Sequence, residues 1–362
     1  GDNVHLNRAF NLTMNSAVAA CANFDMTGYG GTISGIQPLN FSGNLTLGGT
    51  ITWTGQCIAV GSGTQVVTCN GKTLAGLFRV ACTGAGIVQF ADTFRTASNL
   101  QLQSGTLDLT NNPTIHCLAF NLNAGTKTLK LGASQWFLTF TGAGTVWSTS
   151  ANVTGFTLTT GPGVPKLTFA GGALAASVLW GATQSPLCDV EFTGGAGGFS
   201  WSSNNGSFHN FRASGAGNVT LGNGAWVDFD FTGFTGSWTE SLGMTIRGNI
   251  KLVPTMTLVS TTSISLRGTG GQTLTTAGLS IPFEINVFNP VGPTNVLTLL
   301  DQFTSTRLIR LRDDGAGIVA MGGQARTLSS LSAMTASGWV FAVVDRIASS
   351  VSATEWELYQ KQ

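Results

Sequence analysis

The sequence predicts an all-β chain wound into a parallel β-helix, or β-solenoid. Three observations carry that expectation. Short segments with apolar residues at i and i+2 dominate, and helical periodicity is nearly absent. Corners built on Gly and small polar residues separate them, with Thr-Gly recurring from 27–28 to 269–270. A long stretch is also written twice: DMTGYGG at 25–31 returns as DFTGFTG at 230–236, an offset of 230 − 25 = 205 residues.

The strand segments follow in order. "NLTL" (44–47), "TITWT" (50–54), "LQLQ" (100–103), "TLDL" (106–109), "KTLKL" (127–131), "WFLTF" (136–140) and "GFTLT" (155–159) each put alternate residues on one buried face. In LQLQSGTLDLTNN, Leu100 and Leu102 face inward, Ser104 and Gly105 turn a corner, and Leu107 and Leu109 face inward again.

The echo extends past the heptad. FSGNLTL (41–47) matches IRGNIKL (246–252), again 205 residues on. TCNG (68–71) matches TTAG (275–278) at 275 − 68 = 207, and VQFADTF (88–94) matches LTLLDQF (297–303) at 297 − 88 = 209. ASQWFLTF (133–140) is weakly echoed by ATEWELYQ (353–360). A slowly rising offset is what results when corners gain residues and strands keep register, so the pattern implies an ancient duplication.

These signals predict one continuous solenoid over 1–312, its copies covering about 15–228 and 229–312 onward. Coils of roughly 20–25 residues are expected, right-handed by the default for parallel crossovers. Segment 313–362 departs from the pattern and reads as a capping or docking piece. Leu328, Leu331 and Met334 there suggest a short helix.

Composition narrows the function classes. Only 9% of the 362 residues are charged, against roughly 25% for an average soluble protein. A hydrophobic content of 42% nevertheless argues against disorder. Net charge is +1 and no Lys/Arg run occurs, so no nucleic-acid partner is expected. No apolar run approaches ~18 residues, so no membrane insertion by a helix is expected either. The six cysteines form no CxxC pair or zinc spacing, and are read as small buried hydrophobes, with one or two disulfides as the alternative.

Candidates for chemistry are few. Asp228 and Asp230 share a strand face at roughly 6–7 Å, a separation that suits paired carboxylates in glycoside hydrolysis. Asp108 and the pair Asp313–Asp314 are further candidates. However, Asp230 repeats Asp25, and an acid repeated in a corner motif favours a turn cap. On that reading Gly28 and Gly233 make the turn, and Tyr29 and Phe234 begin the next strand. His5, His116 and His209 have no partner at a telling spacing. GAGGFSW (195–201) and GTGG (268–271) precede no helix and make poor phosphate cradles. Trp53, Trp136, Trp147, Trp180, Trp201, Trp226 and Trp238 are read as core or interface residues. No catalytic, cofactor-binding or metal residue is therefore assigned, no cofactor is expected, and the chain reads as a non-enzyme.

The matching positions Asp25–Gly31, Gly43–Leu47, Asn70–Leu74, Asp92–Phe94 and Ser104–Asn112, with Asp230–Gly236, Gly248–Leu252 and Asp301–Phe303, carry a resemblance. The run resembles Gly/Thr-rich β-repeat proteins, virion structural or tail-fibre-like, of tailed bacteriophages and some environmental bacteria. It covers about residues 15–315. The resemblance implies a rigid structural rod of a phage tail fibre or virion appendage, with host-surface binding. Its partners would be copies of itself, other fibre subunits, or a host cell-surface glycan. A bacterial extracellular filament or adhesin is the alternative, and a polysaccharide depolymerase a less favoured one. Open coil ends would let such chains assemble head to tail by strand addition.

Overall fold

In the computed structural model, every element among the described residues is a β-strand. The structure describes residues 2–15, 19–123, 125–139, 143–148, 155–161, 163–171, 175–180, 188–195, 198–203, 207–240, 243–260, 262–268, 271–288, 296–301, 303–305, 309–312, 318–320, 326–328, 347–348 and 355–356. The chain forms two units, Gly1–Cys188 and Asp189–Gln362.

In the first unit each coil contributes strands to three walls, and like strands of successive coils pair parallel. Val4, Phe24, Leu45 and Val67 stack in register in one wall. Leu39, Cys57, Phe78, Leu100, Phe120 and Trp147 stack in a second. Phe94, Ile115, Trp136 and Leu167 stack in a third. One turn takes 20 residues from His5 to Asp25, and 21 and 22 in the next two coils. This is the parallel β-solenoid the alternating segments predict. Period-2 alternation sends one side chain into the column and the next to the surface, while backbone hydrogen bonds run from coil to coil.

The column is aromatic. Phe78, Phe90 and Phe94 are fully buried, and the last two rings stack at 4.1 Å. Phe120, Trp136 and Trp147 continue it, with Trp136 and Trp147 edge-on at 5.0 Å. Each such burial contributes roughly 1.5–3 kcal/mol or more.

The second unit repeats the scheme. Val190, Phe211, Phe229, Ile250, Leu274 and Leu299 stack in one wall. Phe199, Val219, Trp238 and Leu258 form another. Trp226, Ile246, Leu266, Val287 and Leu311 form the third. The six tryptophans Trp53, Trp136, Trp147, Trp201, Trp226 and Trp238 are buried, as core residues. The side chain of Trp180 lies outside the described residues.

Some details differ from the sequence reading. Leu100–Asp108 is one strand rather than two. Its first half pairs with Phe120–Leu122 and its second half with Lys127–Lys130. Gly105, at φ 81°, lets it pass from one wall to the next without a break. Parallel pairing also continues past residue 312, through Ile318–Ala320 and Arg326–Leu328. Asp313, Asp314, Leu331 and Met334, which carry the expected acid pair and short helix, lie outside the described residues.

All six cysteines are buried, and Cys21, Cys57, Cys69, Cys82 and Cys117 carry free thiols. Burial raises the pKa of each of these five, pushing Cys69 up to about 12. An aromatic disulfide reagent at pH 8 is therefore expected to label these thiols only after denaturant is added. Rapid labelling of the folded chain would contradict the burial.

Candidate functional site

The residues with chemical potential gather at the corners between strands. In DMTGYGG, the Thr27 N–H and hydroxyl both donate to Asp25 Oδ1, at 2.9 and 2.6 Å. In DFTGFTG, the Thr232 N–H donates to Asp230 Oδ1 at 2.9 Å and its hydroxyl to the same oxygen. Gly28 and Gly233 follow at φ 74° and 86°. Tyr29 N–H then donates to Met26 O, and Phe234 N–H to Phe231 O. Tyr29 and Phe234 are thus buried within the turn itself and do not begin the next strand, which starts at Thr32 or Ser237. A third copy was overlooked in the sequence although its spelling was visible: Thr110 N–H and hydroxyl donate to Asp108 Oδ1 at 3.1 and 2.7 Å. The shared signal is Asp-x-Thr.

Asp228, the other half of the carboxylate pair, accepts the Asn249 N–H of the following coil. Asn23, at the same place in the first copy, accepts the Asn44 N–H at 2.6 Å. Asn44 in turn accepts the Val66 N–H, and Asn249 the Thr273 N–H, both at 2.9 Å. Asp and Asn are interchangeable at this corner because the task needs only an acceptor oxygen. The two further echoes clamp backwards. Asp92 accepts Cys69 and Asn70 N–H at 2.8 and 2.6 Å, and Asp301 accepts those of Thr276 and Ala277. Each clamp fixes a left-handed corner, Asn70–Gly71 or Ala277–Gly278.

The electrostatics agree with this role. Thr27 is the largest influence on Asp25 and holds its carboxyl below the usual range, helped by His5. Burial acts to raise Asp108 and Asp230, but is outweighed by Thr110 with Lys130, and by Thr232 with Lys251 and Arg212. Asp230 stands in register between Arg212 and Lys251. A carboxyl held below its ordinary range is a poor proton donor near neutral pH. Because these folded values are depressed, their contribution to stability is present above the unfolded value of about 3.9 and is lost as pH falls through the folded ones. Urea unfolding is therefore expected to show this contribution intact at about pH 5 and lost below about 4, beyond the smaller loss that the depressed His116 adds below about 6.5. A curve flat to pH 2 would contradict the caps.

The histidines do have partners, one coil away. His5 Nδ1 lies 3.0 Å from Asp25 Oδ2, and His209 Nδ1 lies 2.7 Å from Asp189 Oδ1. Each pair is 20 residues apart, so coil length was the signal that would have found it. His116 stacks on Phe137 with ring centroids 4.8 Å apart. Burial lowers its pKa, and neighbouring Arg95 adds to the effect.

Two buried glutamines were also missed. Gln272 accepts the Gly268 N–H at 2.8 Å and donates to Ile246 O and Gly248 O at 3.3 and 2.8 Å. Gln65, its amide turned to satisfy both atoms, donates to Phe41 O at 3.1 Å and accepts the Gly61 N–H at 3.2 Å. The partners correspond across the echo, so the duplication reaches into the core. Both side chains are buried, at 0% and 3% exposure.

Among the described residues no group of three or more His, Cys, Asp or Glu is placed to hold a metal ion. A cavity of ≈ 10 Å³ lined by Met14, Phe24, Met26, Ile33, Leu39, Leu45, Ile51 and Trp53 is far below the ~300 Å³ of a small-molecule site. Comparison of the chain with protein-family models, with curated proteins and with solved structures finds no match.

Proposed function

We propose that this chain is a non-enzymatic structural segment of an extracellular fibre, such as a phage tail fibre or virion appendage. One observation carries the reading. The described acids that looked catalytic, Asp108, Asp228 and Asp230, are engaged as acceptors at coil corners, and Asp25 and Asn23 do the same work in the first copy. A β-solenoid supports such a role physically, because coil-to-coil hydrogen bonds and stacked aromatic side chains inside each unit give stiffness without surface charge. A bacterial filament or adhesin would use the same mechanics.

Electron microscopy of the native source, with an antibody against the chain, tests this. Label along fibres is expected, and label on isolated globular particles only would overturn it. A depolymerase reading makes the opposite demand: release of reducing sugar from a capsule panel, abolished by Asp230→Asn.

A further inference from the structure

We infer that one wall of the second unit is a contact surface for a second copy of this chain, laid side by side with its coils running the opposite way. The contact goes beyond the fibre reading and does not rest on it.

The wall is the one on which Val190, Phe211, Phe229 and Ile250 stack inward. The residues just after them face outward on four successive coils, in register: Glu191, Arg212, Asp230 and Lys251. Their charges read minus, plus, minus, plus along the axis, about 4.8 Å apart. Arg212 and Lys251 are exposed, and Glu191 and Asp230 are half-buried. The residues just before the inward four form a second outward column, Asp189, Asn210, Asp228 and Asn249. That column alternates too, acid and amide, and all four of its members reach solvent.

The fold does not require this alternation. The first copy builds the corresponding wall with His5, Asp25, Thr46 and Thr68 in register. Asp25 caps Thr27 there as Asp230 caps Thr232, yet Thr46 stands where the second copy has Lys251. Contacts within the chain hold the charges only loosely. Arg212 Nε lies 3.8 Å from Glu191 Oε1, and 51% of the Arg212 side chain stays exposed. Exposed pairs of this kind add little to stability. A chain with only 17 basic and 16 acidic residues nevertheless sets four of them on one line.

The order of the charges selects the occupant and its direction. Read backwards, the column is plus, minus, plus, minus. A two-fold axis crossing the wall midway between Arg212 and Asp230 sets Glu191 against Lys251 of the second copy, and Arg212 against its Asp230. By symmetry this makes four opposite pairs. The same axis sets Asp189 against Asn249 and Asn210 against Asp228, so no acid faces an acid. A parallel copy in the same register would set every charge against its own kind, and one slid by a coil would make three pairs. The antiparallel arrangement makes four and closes as a dimer. The patch spans roughly 15 by 7 Å, far less than the ~800 Å² per partner of a standard interface, so the contact is weak and salt-sensitive.

Sedimentation equilibrium of the full chain tests the inference. Between about 10 μM and 1 mM it should show monomer and dimer near 0.02 M salt, with the dimer weakened at about 0.5 M. Glu191→Lys and Lys251→Glu each set like charges together at both ends of the contact. Each alone should weaken dimerisation about tenfold or more. An equimolar mixture of the two variants restores every opposite pair between copies and should restore the dimer. So should the double variant, although it leaves like charges adjacent within each chain; an internal role for the column could not produce that rescue. Wild-type chain that stays monomeric at low salt, a dimer indifferent to salt, single variants that dimerise like the wild type, or failure of both rescues would overturn the inference. The salt response needs no substitution, so it decides even where a variant disturbs the fold. The fibre reading is tested separately, by label on the native source, and survives a monomeric result.

Discussion

Alanine at Gly236 is expected to destabilise the second unit by more than about 4 kcal/mol, or to prevent folding. A Cβ built there falls inside the carbonyl group of Gly217 in the preceding coil. That carbonyl accepts the Ser237 N–H at 3.0 Å, and Gly236 O accepts the Thr257 N–H at 2.9 Å. Moving the backbone to make room would therefore strain three coils at once. Gly31 ends the first heptad in the same way, against Phe10 O, and should behave alike. Gly233, three residues earlier, has nothing near its absent Cβ beyond the ordinary contacts of Ser214, but sits at φ 86°. Its alanine variant should lose only about 1–2 kcal/mol, the cost of a left-handed residue. Urea unfolding of the two variants separates the reasons: equal losses would contradict the account of coil spacing.

Leucine at Gln272 is the second large expected effect, about 3–5 kcal/mol. The side chain is similar in bulk, so packing is nearly retained. The loss comes from three backbone groups left dry: Gly268 N–H, Ile246 O and Gly248 O. Gln65→Leu should destabilise the first unit by a comparable amount, through Phe41 O and Gly61 N–H. Denaturant midpoints check both. A neutral Gln272→Leu would mean that its polar partners are satisfied another way.

The strands and the heptad corners were legible because their signals are local. Alternation of Leu100, Leu102, Leu107 and Leu109 has period 2, and Asp-x-Thr-Gly carries its turn chemistry within four residues. The glutamines were not legible. Gln65 and Gln272 occupy inward positions, where a polar residue reads as a lapse in the pattern, and their partners lie a coil away. The same distance hid Asp189 beneath His209 and Asp25 beside His5. Asp25 and Asp92 show a further limit. Both are corner acids, but one caps its own turn and the other holds Cys69 and Asn70 of the previous coil. The sequence gives them the same letter, and only coil stacking assigns the direction.

The central claim is that the repeated acids belong to the scaffold. Its most direct test is the unfolding free energy of Asp25→Ala and Asp230→Ala beside Asp25→Asn and Asp230→Asn at pH 7. Asparagine keeps the acceptor oxygen that Thr27 or Thr232 needs, while alanine removes it. The account predicts a loss of about 1 kcal/mol or more for each alanine variant and a smaller loss for each asparagine variant, which keeps the acceptor and gives up only the charge. Residues held for chemistry tend to be neutral or stabilising to remove. Alanine variants as stable as the wild type, or more stable, would contradict the scaffold role and return Asp230 to the list of functional residues.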